Sequence, residues 1–413
     1  MRKLNTLRED FFASLVVFVV AVPLTLGIAL ASGVNPVVAI TSAIVGGIIV
    51  GMVSGAPLVV SGPAAGLATL VFMIVQEFGL LGLAIATAVA GALQILLGVL
   101  RLGHVFTLVP KSILDGMLAA IGLMIVLGQL HVWAGGSVPS NTLMGVLELP
   151  AVFTNAAPIV LCLGGIGILI QIVWKKWAGK WNWLPGALPA VAIVTLVGLF
   201  FDNLPRVELN SILGSLESQL QIWGSFQSEI LSLNILWAGL GLGLVASAES
   251  LLTARAVDGI APPHAPKSNL DRELLAQGLG NLICSGLAAA PITGVMVRSA
   301  ANVDSGAQSR ASTVMHGVWI LVFVVALPFV LNAIPLTALA SVLIVTGIKL
   351  IGLKAIFKSI QSKPVYSIFW LITVASIMSF NLLNGLLISL ALYTVYYFIL
   401  LLTQKTFYKP KSV

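Results

Sequence analysis

The stretch Ala288–Asn302, Ala-Ala-Ala-Pro-Ile-Thr-Gly-Val-Met-Val-Arg-Ser-Ala-Ala-Asn, constrains this chain more than any other. It lies deep among apolar runs but is too short and too interrupted to cross a bilayer as one helix. Pro291 has no N–H and biases the residue before it toward extended backbone. From Thr293 onward nothing forbids a helix, so the stretch reads as an extended piece that becomes a short helix. Such a helix leaves its first N–H groups unpaired inside the membrane, which is tolerable only beside a polar cavity or a bound anion. Arg298, four residues after Gly294, is expected on the same helical face and about one turn further in. An arginine at that depth costs about 2.5–3.5 kcal/mol or more, so it should face a cavity, an anion or a carboxylate.

A second stretch of this kind is Ala56–Val71, Ala-Pro-Leu-Val-Val-Ser-Gly-Pro-Ala-Ala-Gly-Leu-Ala-Thr-Leu-Val. Leu58 to Ser61 is strand-like, Gly62 and Pro63 punctuate, and a short helix can start at Pro63 or Ala64. Two interrupted short segments at corresponding places in two halves point to an inverted-repeat transporter. Each helix N-terminus carries about half a positive charge. Two of them facing each other near Arg298 make a site for a small anion.

Of the 413 residues, 59% are hydrophobic and only 8% charged, against about 25% charged in soluble domains. The chain is therefore an integral membrane protein. Its net charge of +7 belongs to loops between spans, which favours neither nucleic acid nor any polyanionic partner. Cys162 and Cys284 sit in apolar sequence and are expected as buried thiols, with no metal or disulfide role.

Spans are expected at 11–31, 36–54, a half-span at 63–76, then 80–99, 112–130, 157–174 and 185–201. After the polar loop come 232–253, 271–288, a half-span at 293–304, 310–331, 335–352, 364–380 and 382–402. The reading is an all-α polytopic membrane protein with 14 transmembrane segments in a 7+7 inverted repeat, each half-helix preceded by a short strand. The first repeat takes residues 1–205, the external connecting loop 206–231, and the second repeat 232–413. Lys and Arg cluster in alternate loops, while Asp202, Glu208, Glu217 and Glu229 face a single Arg206 in the long loop. Both termini are thus expected in the cytoplasm and the chain in the cell (inner) membrane, with a homodimer as a candidate assembly.

Small-residue stripes, Gly47–Gly51–Gly55 and Ala84–Ala88–Ala92, read as helix-packing faces. Pro23 removes a backbone bond in mid-span, and with Thr25 it is either a simple kink or part of the site's lining. Glu249 has Thr253 one turn away on its face. It is either a carboxylate near the cytoplasmic end reached by water, or a coupling group that takes a proton, a cation or Arg298. Asp115 is explained by the start of a helix, and His316 by packing. Nothing resembles a nucleotide-binding loop, a zinc spacing or a nucleophile elbow, which argues against an enzyme.

Across essentially its whole length the chain resembles the sulfate permease (SulP) family of anion transporters. The resemblance is carried by the first span around Ala21–Gly33, Ser61–Gly66, Val109–Ile113, Glu249–Thr253, Pro291–Gly294 and Arg298–Asn302. It implies a core domain and a gate domain, with the anion between the third and tenth helices. Residue by residue it points to Ala64, Ala65 and Gly66 on one side, to Thr293, Gly294, Val295 and Arg298 on the other, and to Glu249 as the coupling position. Most members carry a cytoplasmic STAS domain after the last span, and this chain is expected to lack one. Ala64 and Ala65 offer no hydroxyl, so that half of the site would rely on backbone N–H groups and the helix dipole.

The resulting expectation is a secondary transporter of a small inorganic anion, bicarbonate first and sulfate second, working by an elevator-like movement. It would need no cofactor beyond Na⁺ or H⁺ as coupling ion. The alternatives are an uncoupled anion channel or exchanger, or a dicarboxylate or nucleobase carrier on the same fold. Arg298 argues against a neutral base, which would leave its charge unpaired.

Overall fold

The computed structural model describes residues 2–105, 109–139, 142–179, 186–207, 212–225, 232–263, 265–353, 356, 364–380 and 382–407. The first half contains α1 (Arg2–Ala31), α2 (Pro36–Val45), strand β1 (Ser61–Gly62) and α3 (Ala65–Val99). It continues with α4 (Lys111–Trp133), α5 (Thr142–Thr154), α6 (Pro158–Trp177), α7 (Ala187–Gly198) and α8 (Ile212–Gln221). The second half contains α9 (Leu233–Ile260), α10 (Leu270–Gly286), strand β2 (Thr293–Gly294), α11 (Met296–Asp304) and α12 (Ala311–Ala326). After these come α13 (Pro328–Asn332), α14 (Leu336–Ile351), α15 (Pro364–Ser379) and α16 (Leu382–Phe407).

Five stretches of helix, Thr6–Ala31, Pro36–Val53, Ala65–Val99, Lys111–Trp133 and Leu233–Ile260, are each long and apolar enough to cross a bilayer. Most of the other predicted spans are shorter apolar helices of 10–17 residues. The expected division at residues 77–79 is present inside α3, where Gly79 adopts φ 68°, ψ −171°. Only glycine takes that conformation without strain. Helix α5 was not anticipated, and it meets α6 at 116° over Asn155–Ala157, just ahead of Pro158. The 202–230 loop also holds helix, α8 followed by a 3₁₀ turn at Ile222–Ser225.

Two compact units emerge. One comprises Met1–Thr107 with Ile125–Thr346, and the other Leu108–Met124 with Gly347–Val413. In the smaller unit Gly116 lies against Thr373 and Gly385 against Ile377. Asp115 there is explained by a partner rather than by a helix end, because the Tyr366 hydroxyl donates to its carboxylate at 2.5 Å.

The larger unit is packed through small residues. A Cβ on Gly239 would lie 2.6 Å from Val89, one on Gly243 2.9 Å from Ala90, and one on Gly91 2.8 Å from the Gly278 carbonyl. Helix α3 thus seats on α9 and α10 through Ala86, Ala90 and Gly91. The predicted stripe Ala84–Ala88–Ala92 does not form that seam, since Ala92 is exposed. Helix α2 continues past Val45 as a π-turn, Gly46–Val50, and then an α-turn, Gly51–Val53. Its glycines meet the Ser61 carbonyl (Gly46), Gly317 (Gly47), Thr313 (Gly51) and the Asn269–Glu273 backbone (Gly55). Its C-terminal carbonyls are closed by cations, Arg310 donating to Met52 O at 2.6 Å and Arg272 to Val53 O at 3.0 Å.

Cys284 is buried as expected, but Cys162 is exposed. It shares the outer stripe of α6 with Ile166, Leu169 and Ile172, all exposed. An apolar side chain on the outside of a span faces lipid, so apolar sequence alone does not distinguish core from periphery. His316 is buried with neither ring nitrogen hydrogen-bonded among the described residues, its Nδ1 lying toward Gly47.

Irregular backbone before each half-helix must find its hydrogen bonds inside protein. Asn281 does this on the second side: its Oδ1 accepts from Ile292 N at 2.8 Å, while its Nδ2 donates to Ile292 O at 3.0 Å and to Gln94 Oε1 at 2.8 Å. The variant Asn281→Leu orphans three buried groups, each costing about 1–3 kcal/mol. Its thermal unfolding midpoint in detergent is expected to fall by several degrees or more. An unchanged midpoint would show that this side chain does not hold the segment.

Candidate functional site

Strands β1 and β2 pair antiparallel, Ser61 opposite Gly294 and Gly62 opposite Thr293. The ladder extends through Val295 N, which donates to Val60 O at 2.9 Å. The pairing changes two expectations. Thr293 and Gly294 belong to a strand, and helix α11 starts only at Met296. Gly294 and Arg298 therefore do not share a helical face, and Arg298 is the third residue of the helix. The strand in the first half is narrower than Leu58–Ser61, because only Ser61 and Gly62 lie opposite partners. The first half-helix begins at Ala65, with Ala64 as an extended cap residue (φ −117°, ψ 140°).

Neither half-helix has a side-chain cap. Ala64 has no polar atom to offer α3, and Val295 none to offer α11. The first-turn amides of both helices, near Ala65–Gly66 and Met296–Val297, therefore receive no side-chain acceptor from their cap residues. Each N-terminus lies within three residues of the same two-pair ladder, so their positive ends are held close together in the fold. Ala64, Gly66, Thr293, Gly294 and Val295 are all buried here, and Ala65 is half-buried.

Arg298 is fully buried. Its Nη2 donates to Thr25 Oγ1 at 2.9 Å and to Pro63 O at 3.4 Å. The guanidinium thus reaches from α11 to α1 and to the lead of α3. Its Nη1 lies over Gly62, where any Cβ would collide with it. Nε and Nη1 are buried and have no partner among the described residues. Among the described residues no ion pair joins Arg298 to a carboxylate, so its positive charge is undiminished at the junction of the two half-helices.

Glu249 approaches the same place from α9. Its carboxylate lies against Gly66, where an added Cβ would sit 2.7 Å from Oε2 and 2.8 Å from Oε1. The Thr293 side chain faces it, its Oε2 is buried without a hydrogen bond, and the residue keeps some accessible surface. Thr253 is buried one turn along α9. The next residue after Glu249, Ser250, fixes β2 by accepting from Gly294 N at 3.1 Å. Thr25 joins the site through Arg298. Pro23 lines an apolar cavity of about 370 Å³ with Val22, Val191 and Phe323.

Sequence reasoning missed the polar residues that surround the ladder. Ser299 Oγ accepts from Val60 N at 2.9 Å, Asn302 Nδ2 donates to Leu58 O at 3.0 Å, and Ser42 Oγ donates to Ala290 O at 2.6 Å. Glu273 is fully buried, whereas Glu249 is only partly so. Glu273 is the fourth residue of α10, directly after Asp271 and Arg272. The available signal was the spacing Glu273, Gln277, Asn281, which puts three polar side chains on one face of a span.

Uncapped half-helices with a buried cation at their junction define a membrane protein built to handle an anion. Comparison with known proteins agrees. The sulfate permease family matches residues 7–373, and the chain belongs to that family of membrane anion transporters. It is 29% identical over 401 residues to the putative sulfate transporter YvdB of Bacillus subtilis, covering 95% of this chain and 74% of that one. It is 26% identical over 374 residues to the bicarbonate transporter BicA of a Picosynechococcus species, covering 87% of this chain and 64% of BicA. In structure it superposes on the transmembrane domain of a cyanobacterial BicA with a TM-score of 0.77 at 22% identity, covering 93% of this chain and 97% of that domain. SLC26A9 gives a TM-score of 0.77 at 15% identity, covering 95% of this chain and 65% of that one. The structural likenesses establish the fold.

The contact between Gly66 and Glu249 can be tested without weakening the helix. Alanine is the better helix former by about 0.8–1 kcal/mol, but its Cβ would overlap the carboxylate. Gly66→Ala is therefore expected to keep the wild-type unfolding midpoint and to lose about ten-fold or more in anion uptake. Uptake at the wild-type level would mean that the carboxylate's seat on α3 is unimportant.

Proposed function

We propose that this chain is a secondary active carrier of a small inorganic anion, bicarbonate first and sulfate second. The observation that carries this reading is the Arg298 guanidinium, with two unspent buried donors beside two uncapped helix N-termini. A neutral substrate would leave that charge uncompensated in a low-dielectric setting. An anion takes up the charge and the free amides together, with Ala64, Ala65 and Gly66 on one side and Val295 and Arg298 on the other. The relatives, a putative sulfate transporter and a bicarbonate transporter, support this substrate class.

Coupling is assigned to Glu249, with Thr253 and Thr293 as neighbouring oxygens. An anion arriving at the first turn of α3 meets the Glu249 carboxylate seated against Gly66. Like charges at that range repel, so substrate entry requires a proton or Na⁺ on Glu249. Glu273 is a poorer candidate for that role, because donors from Ser54, Ala56 and Gln277 already occupy its oxygens. Movement is elevator-like, with the two half-helices carried as one body since the ladder and Arg298 bind them together. Both termini are placed in the cytoplasm and the chain in the cell membrane, from the Lys/Arg distribution.

Two variants test this reading in proteoliposomes. Arg298→Ala removes charged hydrogen bonds worth about 1.5–3 kcal/mol. Half-saturation for labelled bicarbonate or sulfate should rise about 10- to 100-fold. Unchanged half-saturation would make Arg298 purely structural. Glu249→Gln should keep anion counterflow but abolish accumulation driven by a Na⁺ or pH gradient. A Glu249→Gln protein that still concentrates anion would remove the coupling role.

A further inference from the structure

Helix α10 carries a polar chain that reaches the candidate site without touching a ligand. Glu273, at its cytoplasmic end by sequence, is completely buried. Its Oε2 accepts from Ser54 Oγ at 2.6 Å and from Ala56 N at 3.0 Å, holding the segment that leads into β1. Its Oε1 accepts from Gln277 Nε2 at 2.7 Å, and the same amide nitrogen donates to Ser61 Oγ at 2.7 Å. Ser61 is the first residue of β1 and is followed directly by Gly62 under the Arg298 guanidinium, Pro63 whose carbonyl Arg298 contacts, and Ala64 at the head of α3.

We propose that Glu273 and Gln277 are positioning residues for the anion site. The Glu273 carboxylate fixes the rotamer of Gln277. The Gln277 amide then fixes Ser61, and with it the height of the Gly62–Ala64 turn relative to Arg298. Three observations favour this over a merely structural network. Glu273, Gln277 and Ser61 are all fully or almost fully buried, so the path is shielded from competition by bulk water. Gln277 spends both hydrogen bonds of one nitrogen on the two ends of the path, and its Oε1 has no partner among the described residues. The path also runs between repeats, from the second helix of one to the strand of the other. Ser42 of α2 makes the reciprocal stitch to Ala290, just ahead of β2. The inference rests on the reading of Ala64–Gly66 and Arg298 as the anion site.

The chemistry of the amide sharpens the test. In Glu273→Gln the new Oε1 can still accept from Ser54 and Ala56, and its NH₂ can donate to a flipped Gln277. The flipped Gln277 Oε1 then accepts from the Ser61 hydroxyl, so the chain survives with its donors and acceptors reversed. Glu273→Leu cannot do this. In proteoliposomes with labelled bicarbonate and labelled sulfate, Ser61→Ala, Gln277→Leu and Glu273→Leu should each raise half-saturation about 5- to 10-fold with maximal rate within about two-fold of wild type. Glu273→Gln should stay close to wild type. The double variant Ser61→Ala/Gln277→Leu should be no worse than the worse single variant, because both cut one path.

Additive effects in the double variant, or wild-type half-saturation in Gln277→Leu, would overturn the proposal. Loss of uptake in Glu273→Gln alone would assign Glu273 a role through its charge and overturn it too. Amide hydrogen exchange on the same proteins keeps this outcome separate from that of the anion reading. Exchange over residues 58–66 should rise in Ser61→Ala and Gln277→Leu, and no further in the double variant, whichever anion is carried. If wild type takes up neither anion but exchange follows this pattern, the substrate assignment fails and the positioning path stands. If exchange over 58–66 is unchanged, the positioning path fails.

Discussion

The whole larger unit depends on one constraint: two stretches of non-helical backbone lie within membrane-spanning protein, where water cannot satisfy them. A two-pair ladder supplies only part of what they need. The rest comes from side chains aimed at individual carbonyls and amides: Ser42 at Ala290, Asn281 at Ile292, Ser250 at Gly294, Ser299 at Val60 and Asn302 at Leu58. Each such group left unpaired in an apolar interior would cost several kcal/mol. That cost makes the polar residues inside these spans a structural necessity of the broken helices. It also explains why β1 and β2, although only two residues long, hold their register.

The electrostatic design follows from which contacts are absent among the described residues. Arg298 and Glu249 belong to one site, yet each leaves a buried charged-group atom unsatisfied instead of pairing with the other. A direct pair would cancel the field at the junction of the half-helices. The Thr25 hydroxyl and the Pro63 carbonyl orient the guanidinium as neutral acceptors and leave its charge in place. The carboxylate is held against Gly66, in the first turn of α3.

The sequence made the two interruptions legible because proline and glycine act locally: Pro63 and Pro291 fix backbone, and Gly62 and Gly66 mark close approach. Arg298 and Glu249 were legible because charges inside apolar runs are conspicuous. The start of α11 was not, since Thr293–Val295 are compatible with helix and only pairing with Val60–Gly62 makes them extended. Glu273 was hidden by the charges beside it, and its partners Ser54 and Ala56 lie over 200 residues away. Helix α5 escaped because its sequence is short and contains Pro150. The wrong alanine seam on α3 has a similar origin. In a span that is small-residued on several faces, spacing alone cannot say which face meets a neighbour.

The π-turn at Gly46–Val50 gives helix α2 one surplus residue within an otherwise α-helical rod. Deleting any one residue there would restore a regular helix, and by local criteria a better one. It would also turn everything beyond the deletion through about 100°. Gly51 would leave Thr313, the carbonyls of Met52 and Val53 would swing away from Arg310 and Arg272, and Ser54 would no longer reach Glu273. Residue count along α2 is therefore as much a part of the site's specification as side-chain identity. Single-residue length variation in this helix should be rarer among working proteins of this design than substitution at the same positions.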